Sequence, residues 1–499
     1  MKKLVSILCA AALVLSLAAC GAESQSGGGE AKAAIYSLEN ATTFTFSDSG
    51  ITAQDGSYTG YEIDGTTLTI DGAGAYVVTG TCADGSIQIK KGTTGVTLAL
   101  NGLALTSADT APILCGKSTE VVIVAADGST NSLTDAAENN DDSYPDNTEA
   151  ENAVIKCKDG AQVTLCGGGA LTINANGKNG IKSGASTTEE GEASLTIREL
   201  TLTINAPVND AINAQQLLNV ESGTLTISAA DDAIHSDLVL NIGGDGTDGP
   251  TIAITECYEG IEAAELNVLS GNIDILSSGD CLNAANSDLS GYAFSMNISG
   301  GVITACSSSG DGFDSNGDLT ISGGTVAVWT ANAADNQPLD ADGAITVSGG
   351  TVLAAGGSAG MGMNLTAEQP CVTFGSTGGM GGGRPGDMDG GSASIAKDAA
   401  VTITGSAVYS GTALCNASFV FFSSPELTAD GSYTLTAGDT SLTATAQTGS
   451  ISSGGMGGPG NGGQRPGDRD GGQQAPDFSG GGQPPERPGS QQSGTAQNS

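Results

Sequence analysis

Acidic side chains return along this chain inside one short phrase. Asp210-Ala211-Ile212-Asn213-Ala214, Asp232-Ala233-Ile234-His235-Ser236, Glu259-Gly260-Ile261-Glu262-Ala263, Asp280-Cys281-Leu282-Asn283-Ala284 and Asp311-Gly312-Phe313-Asp314-Ser315 each set an acid two positions before an apolar residue and a polar group directly after it. Asn179-Gly180-Ile181-Lys182-Ser183 shares the frame, Leu339-Asp340-Ala341 is a looser copy, and the segments ending at Cys115 and Cys157 are weaker relatives. If successive phrases stack, Asp210, Asp232, Glu259, Asp280 and Asp311 form one column; Asn213, His235, Glu262, Asn283, Asp314 and Asp340 form a second beside it. Carboxylates one strand spacing apart, ~4.8 Å, repel by about 3–4 kcal/mol at an effective dielectric of ~20.

Such columns favour bound cations. Calcium suits them, because it accepts about 6–8 oxygen ligands in flexible geometry. The candidate ligands are Asp210, Asp232, Glu259, Glu262, Asp280, Asp311, Asp314 and Asp340. His235 is the sole histidine, which disfavours an imidazole-bound transition metal. A solvated acidic edge that deters aggregation accounts for the same acids, and the residues alone leave both readings open.

The spacing of the phrases says what must position them. From Ile181 the central apolar residue returns at Ile212, Ile234, Ile261, Leu282, Phe313 and Leu339, in steps of 21 to 31 residues. Between the phrases lie period-two apolar pairs such as Leu171/Ile173, Leu202/Ile204, Leu225/Ile227, Ile252/Ile254, Ile273/Ile275 and Val326/Val328, which bury one face of a strand and wet the other. Each repeat holds two or three short strands and glycine turns, and can bury its apolar face only against a copy of itself. The expected fold is therefore all-β: a right-handed parallel β-helix, with an antiparallel sandwich as its competitor.

Composition agrees with that choice. The chain has 499 residues, 77 of them glycine, with only 4% aromatic residues, which speaks against a helical bundle. A formal charge of −39 sets it against nucleic acid phosphate. Residues 1–20 read as an export signal, Lys2 and Lys3 before an apolar run, and Leu17-Ala18-Ala19-Cys20 looks like a lipobox that would lipidate Cys20. A tether over 21–34 follows, then the β-helix body over 35–374, a Gly-rich loop over 375–392, a C-terminal β section over 393–448 and a Gly/Pro/Gln-rich tail over 449–499 expected to be disordered. Nine cysteines remain after Cys9 and Cys20, an odd number without a CxxC pair, which predicts buried free thiols.

No catalytic residue is assigned. Between Lys182 and Lys397 the only permanent cations are Arg198 and Arg384, so no basic cluster for a β-eliminating enzyme is visible, and a single histidine leaves little for a nucleophilic triad. Carboxylate pairs suited to hydrolysis arise by accident in so acidic a chain. A binding surface for neutral sugars needs aromatic platforms instead, and Trp329, Tyr258 and Tyr292 are the candidates, Trp329 pointing outward if Val326 and Val328 point inward.

Several separated motifs carry a resemblance. Val96-Thr97-Leu98-Ala99-Leu100-Asn101-Gly102, Asn131-Ser132-Leu133-Thr134-Asp135, the returning Asp/Glu-Gly/Ala-Ile phrases and Phe421-Phe422-Ser423-Ser424-Pro425-Glu426-Leu427 resemble the clostridial family of carbohydrate-binding β-helix lipoproteins, over roughly residues 50 to 448. The resemblance implies a calcium-containing right-handed β-helix similar to polysaccharide lyases that binds cellulose-like or pectin-like polymers. The expectation is a monomeric, non-catalytic lipoprotein, exported and lipid-anchored at the outer face of the cell membrane, that binds plant-type or cell-wall polysaccharide with calcium. The alternatives are a calcium-dependent pectate lyase or polysaccharide hydrolase, and a surface spacer or adhesin.

Overall fold

The computed structural model describes residues 36–54, 56–186, 191–331, 336–356, 364–375, 394–405 and 409–452, all within one compact unit. The signal with its lipobox Cys20, the tether, residues 376–392 of the Gly-rich loop and the tail beyond 452 lie outside the described residues. Among those described, all regular structure is strand.

Stacking produces three parallel ladders. Along the third sheet the central residue of each phrase pairs with the next in unbroken register: Ile113, Ile155, Ile181, Ile212, Ile234, Ile261, Leu282 and Phe313, closing on a bridge to Leu339. Every one of these side chains is fully buried, and each such aliphatic burial is worth about 1.5–3 kcal/mol. The second sheet stacks the period-two pairs in the same way, Leu171/Ile173 on Leu202/Ile204, then Leu225/Ile227, Ile252/Ile254, Ile273/Ile275 and onward to Val326/Val328. The first sheet runs through Leu195, Leu218, Leu240, Leu266, Met296 and Leu319. The chain is thus a parallel β-helix, and parallel crossovers within one sheet wind to the right.

Register is held from outside as well as inside. On the first sheet Asn241 donates to Asn219 at 2.9 Å, Asn267 to Asn241 at 3.0 Å and Asn297 to Asn267 at 3.1 Å, a neutral amide ladder of the kind that in-register stacking favours. Inside the phrase, the position before the apolar residue must be small. A Cβ on Gly260 would sit 2.2 Å from the carbonyl oxygen of Cys281 in the next coil.

Both open ends are covered. At the N-terminal end two antiparallel pairs, Thr42–Ser47 with Gly50–Gln54 and Tyr61–Asp64 with Thr67–Ile70, lie against the first coil, and Phe44 meets Tyr61 edge-on at 4.7 Å. At the other end Phe419–Ser423 and Gln447–Ser452 pair antiparallel with the last strands, breaking the parallel repeat that would template another chain. On either side of Phe419–Ser423 in sequence, Ala400–Thr404, Tyr409–Thr412, Ser432–Ala437 and Thr440–Thr445 make a separate four-stranded antiparallel sheet. It packs on the outer face of the second sheet over a second core that includes Trp329, Phe374, Val401, Phe422 and Tyr433. The nine described cysteines are buried free thiols, as the odd count predicts.

Candidate metal centre

The outward residues of the third sheet, and the acids at the corner before it, form the two columns expected from the phrase. Asn213, His235, Glu262, Asn283 and Asp314 stand in one register line. Asp232, Glu262 and Asn283 are 2%, 3% and 6% exposed, so these are not solvated edge groups.

Hydrogen bonds knit the columns from coil to coil. Asp210 accepts from the Asp232 backbone N–H at 3.2 Å and from Asn213 Nδ2 at 2.7 Å. Asp280 accepts from the Asp311 N–H at 2.7 Å, and Asp311 in turn from the N–H of Gln337. Asn283 Nδ2 donates to Glu259 Oε2 at 2.9 Å and Glu262 Oε2 at 3.3 Å. His235 lies 2.9 Å from both Asp232 Oδ2 and Asp237 Oδ1, and 3.7 Å from Glu262 Oε1. Two buried oxygens are left over: Asp232 Oδ1 and Asn283 Oδ1 have no hydrogen-bond partner, an arrangement costly enough to call for another ligand.

The electrostatics show the same strain. Burial pushes Asp232 and Asp280 up to about 7 and Asp314 up to about 6, and pushes Glu262 up to about 10 with Glu259 beside it. Burial would lower His235, but its bonds to Asp232 and Asp237 outweigh that and hold it well above its ordinary value. An imidazolium there neutralises part of one rung.

Three groups bring their ligand atoms within 4.8 Å of one another: Asp232 with His235 and Glu262; Asp210 with Asp231 and Asp232; Asp311 with Asp314 and Asp340. Each could hold a metal ion. The second and third offer oxygen only, the donor set of a hard cation; in the first, both imidazole nitrogens already face carboxylates. Of the acids expected from the sequence, Glu259 and Asp280 fall outside these groups and act as hydrogen-bond acceptors in the columns. Asp231 is an addition. Its only signal is the Asp231-Asp232 doublet at the head of the phrase.

The aromatic candidates are not brought together. Trp329 does point away from the coil interior, but it is 1% exposed, because the four-stranded sheet packs over it; it is no sugar platform. Tyr292, between the third and first sheets, donates its hydroxyl to Glu265 Oε1 at 2.6 Å and packs on Phe294. Tyr258 is exposed at the opposite corner, immediately before Glu259, and lines a cleft of about 370 Å³ with Glu256, Leu276 and Ser308. Leu276 is itself 53% exposed.

Lysines were the larger omission. Lys156 and Lys182 stand in the same register line as the acids, in phrases that share the frame but to whose basic outward residue the sequence reading gives no role. The scarcity of cations between Lys182 and Lys397 does not extend to the earlier coils, where Lys117, Lys156, Lys158, Lys178 and Lys182 lie on or beside the third sheet.

Known proteins resemble this chain in part. A protein of Acetivibrio thermocellus described as a carbohydrate-binding domain-containing protein is 38% identical over 109 residues, 22% of this chain and 37% of the relative, so the match spans little more than a third of the relative's length. A solved structure described as the polysaccharide lyase-like protein from C. thermocellum, in a gadolinium derivative, is 23% identical with a TM-score of 0.32, covering 62% of this chain and 93% of that one. The model of the carbohydrate-binding domain-containing protein family matches residues 64–362, more than half of the 499. With coils of the third sheet from Thr67–Ile70 to Phe313–Ser315 inside that match, the chain belongs to the carbohydrate-binding domain-containing protein family.

Proposed function

We propose that this chain is a non-catalytic polysaccharide-binding lipoprotein whose acid columns take up calcium. The observation that carries the reading is the register of buried carboxylates along the third sheet, with Asp232 Oδ1 left without a partner, in a member of a family named for carbohydrate binding. Asp210, Asp231 and Asp232 would hold one ion, and Asp311, Asp314 and Asp340 another. A bound cation would supply positive charge where burial disfavours carboxylate ionisation, and would lock neighbouring coils together. Asp280 supports Asp311 by accepting its N–H, while Glu259 and Glu262 hold Asn283 between the two sites.

The sugar surface proposed is the corner beside the columns, with Tyr258 and exposed Leu276 along the neighbouring cleft. The polymer would be of cellulose-like or pectin-like type, bound by a monomer anchored through lipidated Cys20 at the outer face of a bacterial membrane. A pull-down of the purified protein on cellulose, pectin and xylan, with calcium or with chelator, tests the reading. Retention on at least one polymer, weakened by chelator and by Asp232→Asn, is expected. No retention under any calcium level favours the spacer; sustained product formation from polygalacturonate favours the lyase. Incorporation of a palmitate analogue that is lost in Cys20→Ala checks the anchor.

A further inference from the structure

The two first full phrases of the third sheet carry charge of the opposite sign. Lys156 and Lys182 occupy the position directly after the inward isoleucine, and the register sets them side by side on consecutive coils. The other three lysines on the stretch each have an acid of their own. Lys117 meets Asp159 at 2.9 Å, Lys158 meets Glu151 at 2.7 Å, and Lys178 pairs with Asp142. Lys156 and Lys182 make neither an ion pair nor a side-chain hydrogen bond among the described residues, although both are largely covered. Burial and then the charge of Lys182 lower Lys156 to about 8, and burial and then Lys178 lower Lys182. Asp210, Asp237 and Asp141 pull the other way on Lys182 without pairing with it.

In a chain with 55 acids and 16 bases, two stacked cations left unmatched stand out. The neighbouring carboxylates, Glu151 near Lys156 and Asp210, Asp237 and Asp141 near Lys182, act on the pair without contacting it. A wall stands beside them. The acidic insertion over residues 138–151 is fixed to the coil by Asn140 Nδ2 donating to the Gly177 carbonyl at 2.8 Å and by Asn139 Nδ2 donating to the Ala153 carbonyl at 3.0 Å. Two ammonium groups on consecutive coils, largely desolvated and without a contacting anion, stand opposite in sign to the carboxylate columns. Side chains leaving the same face of backbones one strand spacing apart, ~4.8 Å, can both reach a single oxyanion lying between them.

We propose that Lys156 and Lys182 form a binding site for a carboxylate-type oxyanion held between two consecutive coils. The anion comes either free in solution or as the carboxylate of an acidic polymer. The site uses none of the proposed calcium ligands, and its failure leaves the calcium-dependent polysaccharide reading standing.

The test uses the full chain in chelator, so that no cation bridges an anion to the acid columns. Calorimetric titrations use acetate, an oligogalacturonate and a neutral cello-oligosaccharide, on the wild-type chain and on Lys156→Met/Lys182→Met. The expected result is binding of at least one of the two anions, weakened tenfold or more in the double variant, with the neutral sugar unaffected. Because the substitutions remove poorly solvated charges, the variant should melt no lower than wild type, which separates lost binding from lost folding. Acetate binding alone assigns a free anion; oligogalacturonate binding alone assigns a polymer-borne carboxylate. Absence of any anion binding to wild type, or equal affinity in the double variant, overturns the site. Loss of the neutral sugar alone counts against the polysaccharide reading and leaves this one intact.

Discussion

The lysine rungs and the acid rungs of the third sheet share one backbone and one register, yet differ in everything that faces outward. Ile155 and Ile181 are as buried as Ile234 and Ile261, and the residue after each points the same way. At that outward position the charge runs from Lys156 and Lys182 through neutral Asn213 and basic His235 to Glu262, neutral Asn283, Asp314 and Asp340. The inward half of the phrase specifies the fold; the outward half is free to specify a ligand. In a solenoid this separation is unusually clean, because each coil contacts only its neighbours.

The strongest way to break that division is to disturb the inward half. Gly260→Val places a side chain against the Cys281 carbonyl, 2.2 Å from where its Cβ must go, inside a stack with no room to shift one coil alone. A cost of about 3 kcal/mol is expected for such overpacking. The loss in thermal melting should be the same with calcium or with chelator. A loss that calcium restores would mean the glycine serves the ligand column rather than the stack.

Removing the cation should separate the two ends next. A site filled at about 100 times its dissociation constant contributes about 2.7 kcal/mol, so chelation should lower the melting temperature visibly. The pH dependence gives the sign. Burial raises Asp232 and Asp280 to about 7 and Asp314 to about 6, above the ordinary carboxylate value of about 4. Their contribution is full below about pH 4 and drains as pH rises through 6 and 7; His235, also raised, loses its contribution in the same direction. In chelator the melting temperature should therefore fall between pH 5 and pH 8, and calcium should flatten that fall by displacing the protons. A chelated protein whose stability rises over this window would contradict the buried columns. The lysine end works oppositely and later: Lys156, lowered to about 8, adds stability only as pH passes above that value.

How much of this the sequence shows depends on whether the cause is local. The phrase makes the third-sheet register legible because one apolar residue per coil must land in one place, and Ile181 through Leu339 do so. The acids two positions before it follow automatically. What covers Trp329 is not local: strands such as Ala400–Thr404 and Ser432–Ala437, about a hundred residues onward, fold back over it. Counting outward positions on one strand cannot reveal that. Asp231 escapes because it falls one place off the phrase, and Lys156 and Lys182, though their phrases share the frame, gain no role because repeated acids say nothing of a base in the same slot. The hairpin at Thr42–Ser47 lies before the repeat begins, where no copy exists for comparison.

The smallest expected effect asks whether charge alone makes a cation column. The first sheet carries a neutral counterpart, where Asn267 donates to Asn241 at 3.0 Å and accepts from Asn297 at 3.1 Å. Asn267→Asp keeps the acceptor and loses the donor, so two oxygens then face each other across one coil. The expected cost is about 1 kcal/mol at neutral pH, the scale of one hydrogen bond, and acidification below about pH 4 should recover part of it by restoring a donor. Calcium should not rescue the variant, because a single half-exposed carboxylate among amides lacks the buried, convergent oxygens found around Asp232. Rescue by calcium to the degree seen for the wild-type columns would show that any acid stacked on a coil suffices, and the corner geometry at Asp210, Asp231 and Asp232 would lose its special standing.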